Sequence, residues 1–277
     1  MFHYSFNTST VRGQKLSLVE EIDIAAQAGY GAIEPWINEL EKYVQQGGSL
    51  PDLKKHITDS GLTVESAIGF SEWIVDDEDR RTKGLEQSRR DMDWVQQIGG
   101  KRIAAPAAGG TDVVLEYSKV IERYHALLTL GDHFDVVPQV EVWGFSKTLT
   151  RLGQATMVAI ESDHPKACVL PDVYHLYKGG SNFNGLALLG PGAFHVMHVN
   201  DYPANPPRAA IKDSDRVYPG DGVAPLKDVF RTLRKIGFDG YFSVELFNPT
   251  YWQQDPLKVA RTALDKLKAV VQQSEAA

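Results

Sequence analysis

The stretch APLKDVFRTLRKIGFDGYFSVELFNPTYW, residues 224–252, holds one helix-then-strand unit. Residues 224–237 carry the three- and four-residue apolar period of a helix. Tyr241–Leu246 then read as a buried strand, interrupted near its end by a carboxylate, Glu245, with Leu246 and Phe247 just beyond. A carboxylate at such depth is costly unless it is paired or holds a metal.

Working outward, the same alternation runs through the chain. Short apolar runs fall at 3–7, 32–36, 63–69, 101–107, 136–143, 167–173, 194–200 and 241–246. Between them lie helix-period segments such as 17–29, 86–100, 113–135 and 255–272. Strands that alternate with helices pair in parallel, and eight such units fit a closed α/β barrel, the (βα)8 TIM barrel. A doubly wound open sheet is the alternative, but no G-x-G-x-x-G follows the first strand. No low-complexity stretch or linker divides the chain, so residues 1–277 are expected to form a single domain. The longest irregular segment is 201–223, of a length that is often functional in compact domains.

Composition narrows the partners. The formal net charge is −7 and the Lys and Arg residues are scattered, which argues against a nucleic-acid or anionic membrane surface. No apolar run approaches the roughly 18 residues of a membrane span. The opening MFHYSFNTST lacks the form of a signal peptide. The single cysteine, Cys168, excludes a disulfide within the chain. These features predict a soluble cytoplasmic protein with a small-molecule partner, and leave a homo-oligomer open.

In a TIM barrel the site forms where strands hand over to the following loops. Strands five to eight each carry a metal-capable residue there: Glu141, Asp172, His198 and Glu245. Strand alternation puts Gln139 with Glu141, and Ser243 with Glu245. Three carboxylates converging on one point would repel without a cation among them. Oxygen-rich ligation with one imidazole suits a single divalent metal ion, Mn2+, Mg2+, Co2+ or Zn2+. For each residue alone a turn, cap or core role is the commoner one; four on successive strands at one end shift the balance to a metal. His195 should face away from His198, and Asp201 should cap or orient.

On these residues, and above all on DSDRVYPGDGVAPLKDVFRTLRKIGFDGYFSVELFNPTYW (213–252), the sequence resembles the xylose isomerase-like TIM barrels. These form the sugar phosphate isomerase/epimerase family, and its inosose (2-keto-myo-inositol) isomerases are the nearest likeness. The resemblance implies that Glu141, Asp172, His198 and Glu245 bind one metal and that Glu141 and Glu245 also move protons. It implies that His175, in the Asp-x-x-His match, and Arg216, in RVYPG, contact oxygens of the substrate. The ketose epimerases of that family carry a second glutamate six residues after the strand-five ligand; here that position is Lys147, either a solvated residue or a substrate contact.

The expected activity is therefore isomerisation or epimerisation of a keto-polyol, an inosose or ketose, by proton transfer through an enediolate. A lyase or dehydratase acting on a keto-sugar, or a non-catalytic sugar-binding module, are the rivals. Trp36, Phe6, Trp143 and Phe70 stand near strand ends, as a sugar-facing wall or as core. Glu34 is open between substrate binding and a salt bridge. PGDG (219–222) resembles an anion cradle in composition only.

Overall fold

The computed structural model describes residues 1–275. Its strands are β1 (Phe2–Asn7), β2 (Ala32–Glu34), β3 (Thr63–Val64), β4 (Arg102–Ala105), β5 (Val137–Glu141), β6 (Val169–Leu170), β7 (Val196–Val199) and β8 (Gly240–Val244). Around them lie α1 (Leu18–Ala28), α2 (Ile37–Gln45), α3 (Leu50–Asp59), α4 (Glu78–Gln97), α5 (Tyr117–Asp132), α6 (Leu152–Glu161), α7 (Val173–Gly179), α8 (Leu226–Lys235) and α9 (Pro256–Gln273).

Every ladder is parallel, in the orders β3-β2-β1-β8-β7 and β4-β5-β6. Two seams without regular ladders join these arcs. At β3–β4, Ala67 N donates to Arg102 O (3.0 Å) and Ala104 N to Ala67 O (2.8 Å). At β6–β7, Val169 N donates to Ala193 O (2.9 Å) and His198 N to Pro171 O (3.0 Å). The eight strands thus close into the expected barrel. Pro35 and Pro171 help to explain why β2 and β6 are short, since each removes a backbone donor just past the strand.

The helices form because local signals and burial agree. Ser17 and Glu20 make a reciprocal capping box at the start of α1, and Gly29 ends it in the left-handed region at φ 92°. On α8 the buried stripe is Leu226, Val229, Phe230 and Leu233, set against a charged outer face. Along β8, Phe242 faces the helices and its ring stacks 4.8 Å from Phe230. Ser243 faces the barrel interior, where its hydroxyl meets Glu34 of β2.

Within the barrel, Ile68, Ala104, Leu170 and Val196 form a small apolar plug. The polar residues Asn7, Glu34, Glu141, His198 and Glu245 lie buried at the C-terminal strand ends. Elements differ from the expectation mainly at boundaries. The run 63–69 makes a ladder only at Thr63–Val64, and α4 begins at Glu78 because Asp77 caps it through Arg80 N at 2.9 Å. Among the described residues, no helix is long and apolar enough to cross a membrane.

Candidate functional site

Four strands deliver the expected residues to one end. Glu141 closes β5, Asp172 follows β6 and caps α7, His198 lies within β7, and Glu245 directly follows β8. Asp172, His198 and Glu245 are buried and each presents a ligand atom within 4.8 Å of the others. His198 Nδ1 is 3.7 Å from Asp172 Oδ2 and 3.5 Å from Glu245 Oε2, without hydrogen-bond geometry to either. A buried imidazole nitrogen with no bonded partner, aimed at two carboxylates, fits a divalent cation held through two oxygens and one nitrogen.

Glu141 reaches the same end but stands outside that close group. It is buried, and no partner bonds its carboxylate among the described residues. Burial pushes it up to about 8, with Glu245 and Asp172 adding to the rise while His198 and Arg216 oppose it. Burial also pushes Glu245 upward, against the pull of His198 and Arg216. Asp172 goes the other way: burial acts to raise it, but Arg216, His175 and His198 together hold it low.

Arg216 is fully buried over the Tyr174 ring, 4.4 Å from its centroid. Its Nη1 donates to Asp172 Oδ2 and to Glu245 Oε2, both at 2.9 Å. Its Nε and Nη2 meet Asp213 Oδ1 at 3.0 and 2.5 Å, and Nη2 is also 3.2 Å from His175 Nε2. Four of its five N–H groups therefore face carboxylate oxygens. His175 gives its backbone N–H to Asp172 Oδ1 (2.8 Å), its Nδ1 accepts from Gly144 N (3.2 Å), and burial lowers its ring to about 4. His175 thus stands beside Asp172 and Arg216 as a neutral imidazole.

Glu34 was the residue whose partner the sequence did not reveal. It is buried at the end of β2, with Oε2 3.0 Å from His198 Nε2. The approach is off the ring N–H direction, so it is an electrostatic pairing more than an aligned hydrogen bond. The same oxygen accepts from Ser243 Oγ (2.6 Å) and Asn7 Nδ2 (2.9 Å). Burial acts to raise Glu34, yet His198, Ser243 and Asn7 hold it low; Glu34, Glu245 and Asp172 in turn raise His198 well above the usual histidine range, against burial. Asn200 Nδ2 donates to Asp172 Oδ2 at 3.1 Å. The signal that finds Asn7 and Glu34 is the one used for the four candidates: polar, inward in strand alternation, last in the strand.

Other expectations also find their places. Trp36, Phe70 and Trp143 stand ring to ring at 5.3 and 6.0 Å, and Phe247 meets Trp36 at 5.8 Å. Phe6 is core, packed on Tyr30. Lys147 is exposed, with its backbone bonded to Thr111 O. His195 precedes β7 and is lowered to about 4 by burial. The cradle around PGDG already holds an anion. Asp201 accepts backbone N–H groups from Tyr202, Ala224, Gly220 and Gly222 at 2.8–3.1 Å.

A family model described as xylose isomerase-like TIM barrel matches residues 22–270. Inosose isomerase of Bacillus licheniformis is 24% identical over 96% of this chain and 96% of its own. The 3-dehydro-D-guloside 4-epimerase of Escherichia coli is 24% identical over 79% of this chain and 84% of its own. Among solved structures, the IOLI protein with a bound zinc atom superimposes with a TM-score of 0.91 at 22% identity, covering 98% of this chain and 99% of that one.

Proposed function

Because the chain belongs to the xylose isomerase-like TIM barrel family, we propose that it is a divalent-metal-dependent isomerase or epimerase of a keto-polyol, of the inosose or ketose type. The observation that carries this reading is the pair Glu141 and Glu245. They stand on non-adjacent strands at one end of the barrel, and burial shifts both carboxyls upward from the usual range. A carboxyl poised nearer neutrality can both take and return a proton. The names of two relatives, an inosose isomerase and a 4-epimerase of a keto-sugar, support the same class of reaction.

Asp172, His198 and Glu245 would hold the cation, with Glu141 beside them. Bound there, a divalent ion supplies Lewis-acid stabilisation of a developing enediolate oxygen, worth several kcal/mol. The chain's own residues do the rest. One of Glu141 and Glu245 takes the proton from the carbon next to the carbonyl. The other returns a proton to the neighbouring carbon or to the opposite face. Each such positioned transfer contributes about 10²–10⁴-fold. His175 lines the same floor and would meet a substrate oxygen, while Arg216, held by Asp213, would keep Asp172 and Glu245 in place. Trp36, Phe70 and Trp143 supply an apolar wall for one face of the ring.

The test is hydrogen exchange. With protein carrying one equivalent of Zn2+ or Mn2+ and an inosose in D2O, NMR should show deuterium entering the carbon next to the carbonyl. Glu141→Gln and Glu245→Gln should each slow that exchange by at least about 10²-fold. Retention of substrate hydrogen together with a need for two metals per chain would defeat the mechanism. Loss of a β-hydroxyl in the product would move the activity to the lyase class.

A further inference from the structure

Two arginines serve the site, Arg216 on its floor and Arg12 nearer the mouth, and they differ in one respect. Arg216 has four of its five N–H groups on carboxylate oxygens. Among the described residues, Arg12 has none at hydrogen-bond geometry. Its nearest carboxylate oxygen, Glu39 Oε1, is 4.0 Å from Nη2, and Nη2 is buried without a partner. Glu39 is already engaged elsewhere: its Oε2 accepts from Thr8 Oγ1 (2.6 Å) and from Trp36 N (2.9 Å).

The guanidinium is nonetheless fixed. Arg12 sits in the 3-10 turn Thr8–Gln14 that follows β1, stacked 3.6 Å above the Trp36 ring and 5.8 Å from that of Phe247. Trp36 Nε1 donates to Asn7 Oδ1 at 2.9 Å, and Asn7 Nδ2 reaches Glu245 Oε1 at 3.3 Å. The cation is therefore tied to the proposed proton carrier through one indole and one amide. A third of its side chain remains open to solvent. A guanidinium held by stacking, with its outward donors unspent, can give a charge-assisted hydrogen bond to a carboxylate.

Resting on the keto-polyol reading of the site, we propose that Arg12 favours, among keto-polyols, those whose ring also carries a carboxylate, which it binds at the mouth beside Trp36 and Phe247. A single negative charge suits the setting better than a phosphate dianion. Arg12 is one cation that faces Glu39, with Glu245 and Glu21 also close enough to act on it, and the backbone amides of the PGDG loop are taken by Asp201.

The experiment uses two cyclohexane polyols that differ in a carboxylate, quinate and myo-inositol, titrated calorimetrically into Zn2+-loaded protein. Quinate should bind about tenfold or more tightly than myo-inositol, the fold-change of one charge-assisted contact. Arg12→Met, which keeps an apolar side chain on Trp36, should bring that ratio near one. Arg12→Lys, which keeps the charge but not the stacked plane on Trp36, should restore part of it. Circular dichroism melts confirm that the variants are folded. Equal affinities in the wild-type protein, no binding of either probe at millimolar concentration, or a preference that survives Arg12→Met would each overturn the assignment. The ratio reads Arg12 alone, whereas deuterium incorporation into an inosose reads the proton-transfer mechanism, so the two fail separately.

Discussion

Replacing Glu34 by Gln isolates the contact that sets the metal-facing nitrogen of His198. In the native chain Glu34 Oε2 lies 3.0 Å from His198 Nε2, a placement that would favour the ring proton on that side when Nδ1, facing Asp172 and Glu245, takes a metal. At an effective dielectric of about 20, charges at that separation attract by about 5 kcal/mol before desolvation is subtracted. The part that reaches metal affinity is smaller, because a glutamine oxygen still accepts from Ser243 and Asn7 and only the charge is lost. Carboxylates behind ligating histidines contribute about 10–100-fold, or about 1.4–2.7 kcal/mol. Competition of Zn2+ between metal-stripped protein and a chromophoric chelator at neutral pH should therefore show Glu34→Gln weaker by that factor. Glu34→Asp, which keeps the charge on a shorter stem, should fall between. An affinity within threefold of wild type would refute the orienting role. A loss beyond about a thousandfold would place Glu34 among the ligands themselves.

Two further outcomes follow from the same geometry. Glu141, pushed by burial from 4.5 to about 8, holds its proton in the folded, metal-stripped protein. A raised folded value stabilises fully below the unfolded one and is lost as pH climbs toward 8. Metal-stripped wild type should thus lose about 2 kcal/mol, about 3–4 °C in Tm, between pH 6 and 8. Glu141→Gln should flatten that slope in thermal melts, and parallel curves would remove Glu141 as its source. Asp201→Ala leaves four backbone donors without their acceptor. It should cost about 3 kcal/mol in urea unfolding with Zn2+ affinity unchanged, and a loss of affinity would mean that the 201–223 segment helps to shape the metal site.

Much of this site was legible because a strand's period is two. Gln139 and Ser243 were expected on the faces of Glu141 and Glu245, and each bonds across the barrel interior, Gln139 to Ser66 and Ser243 to Glu34. The four strand-end residues followed from alternation plus the parallel closure that alternation of strands and helices demanded. What stayed hidden was pairing between distant strands. Glu34 meets Ser243 across 209 positions of sequence, and its link to His198 needs β2, β8 and β7 in one closed sheet. Arg216 was expected as a fork for substrate oxygens. That its donors face Asp172, Glu245, Asp213 and His175 depends on where the 201–223 segment folds, and no period in the sequence encodes that path.

The closure also changes the reason for expecting a metal. Clustered carboxylates at strand ends suggested a cation by repulsion alone, but the chain brings its own cation. Arg216 Nη1 lies 2.9 Å from both Asp172 and Glu245. Glu141 avoids charge by keeping its proton. The depth of Glu245, costly on its own, is offset in part by residues already present, though burial still leaves its carboxyl raised. Repulsion no longer carries the argument. It is carried by the imidazole: Nδ1 of His198 is buried, lacks a hydrogen-bond partner among the described residues, and lies within 4 Å of two carboxylate oxygens. A core built for stability alone would satisfy that nitrogen with a donor or acceptor at bonding distance. A core built to take a Lewis acid leaves it bare.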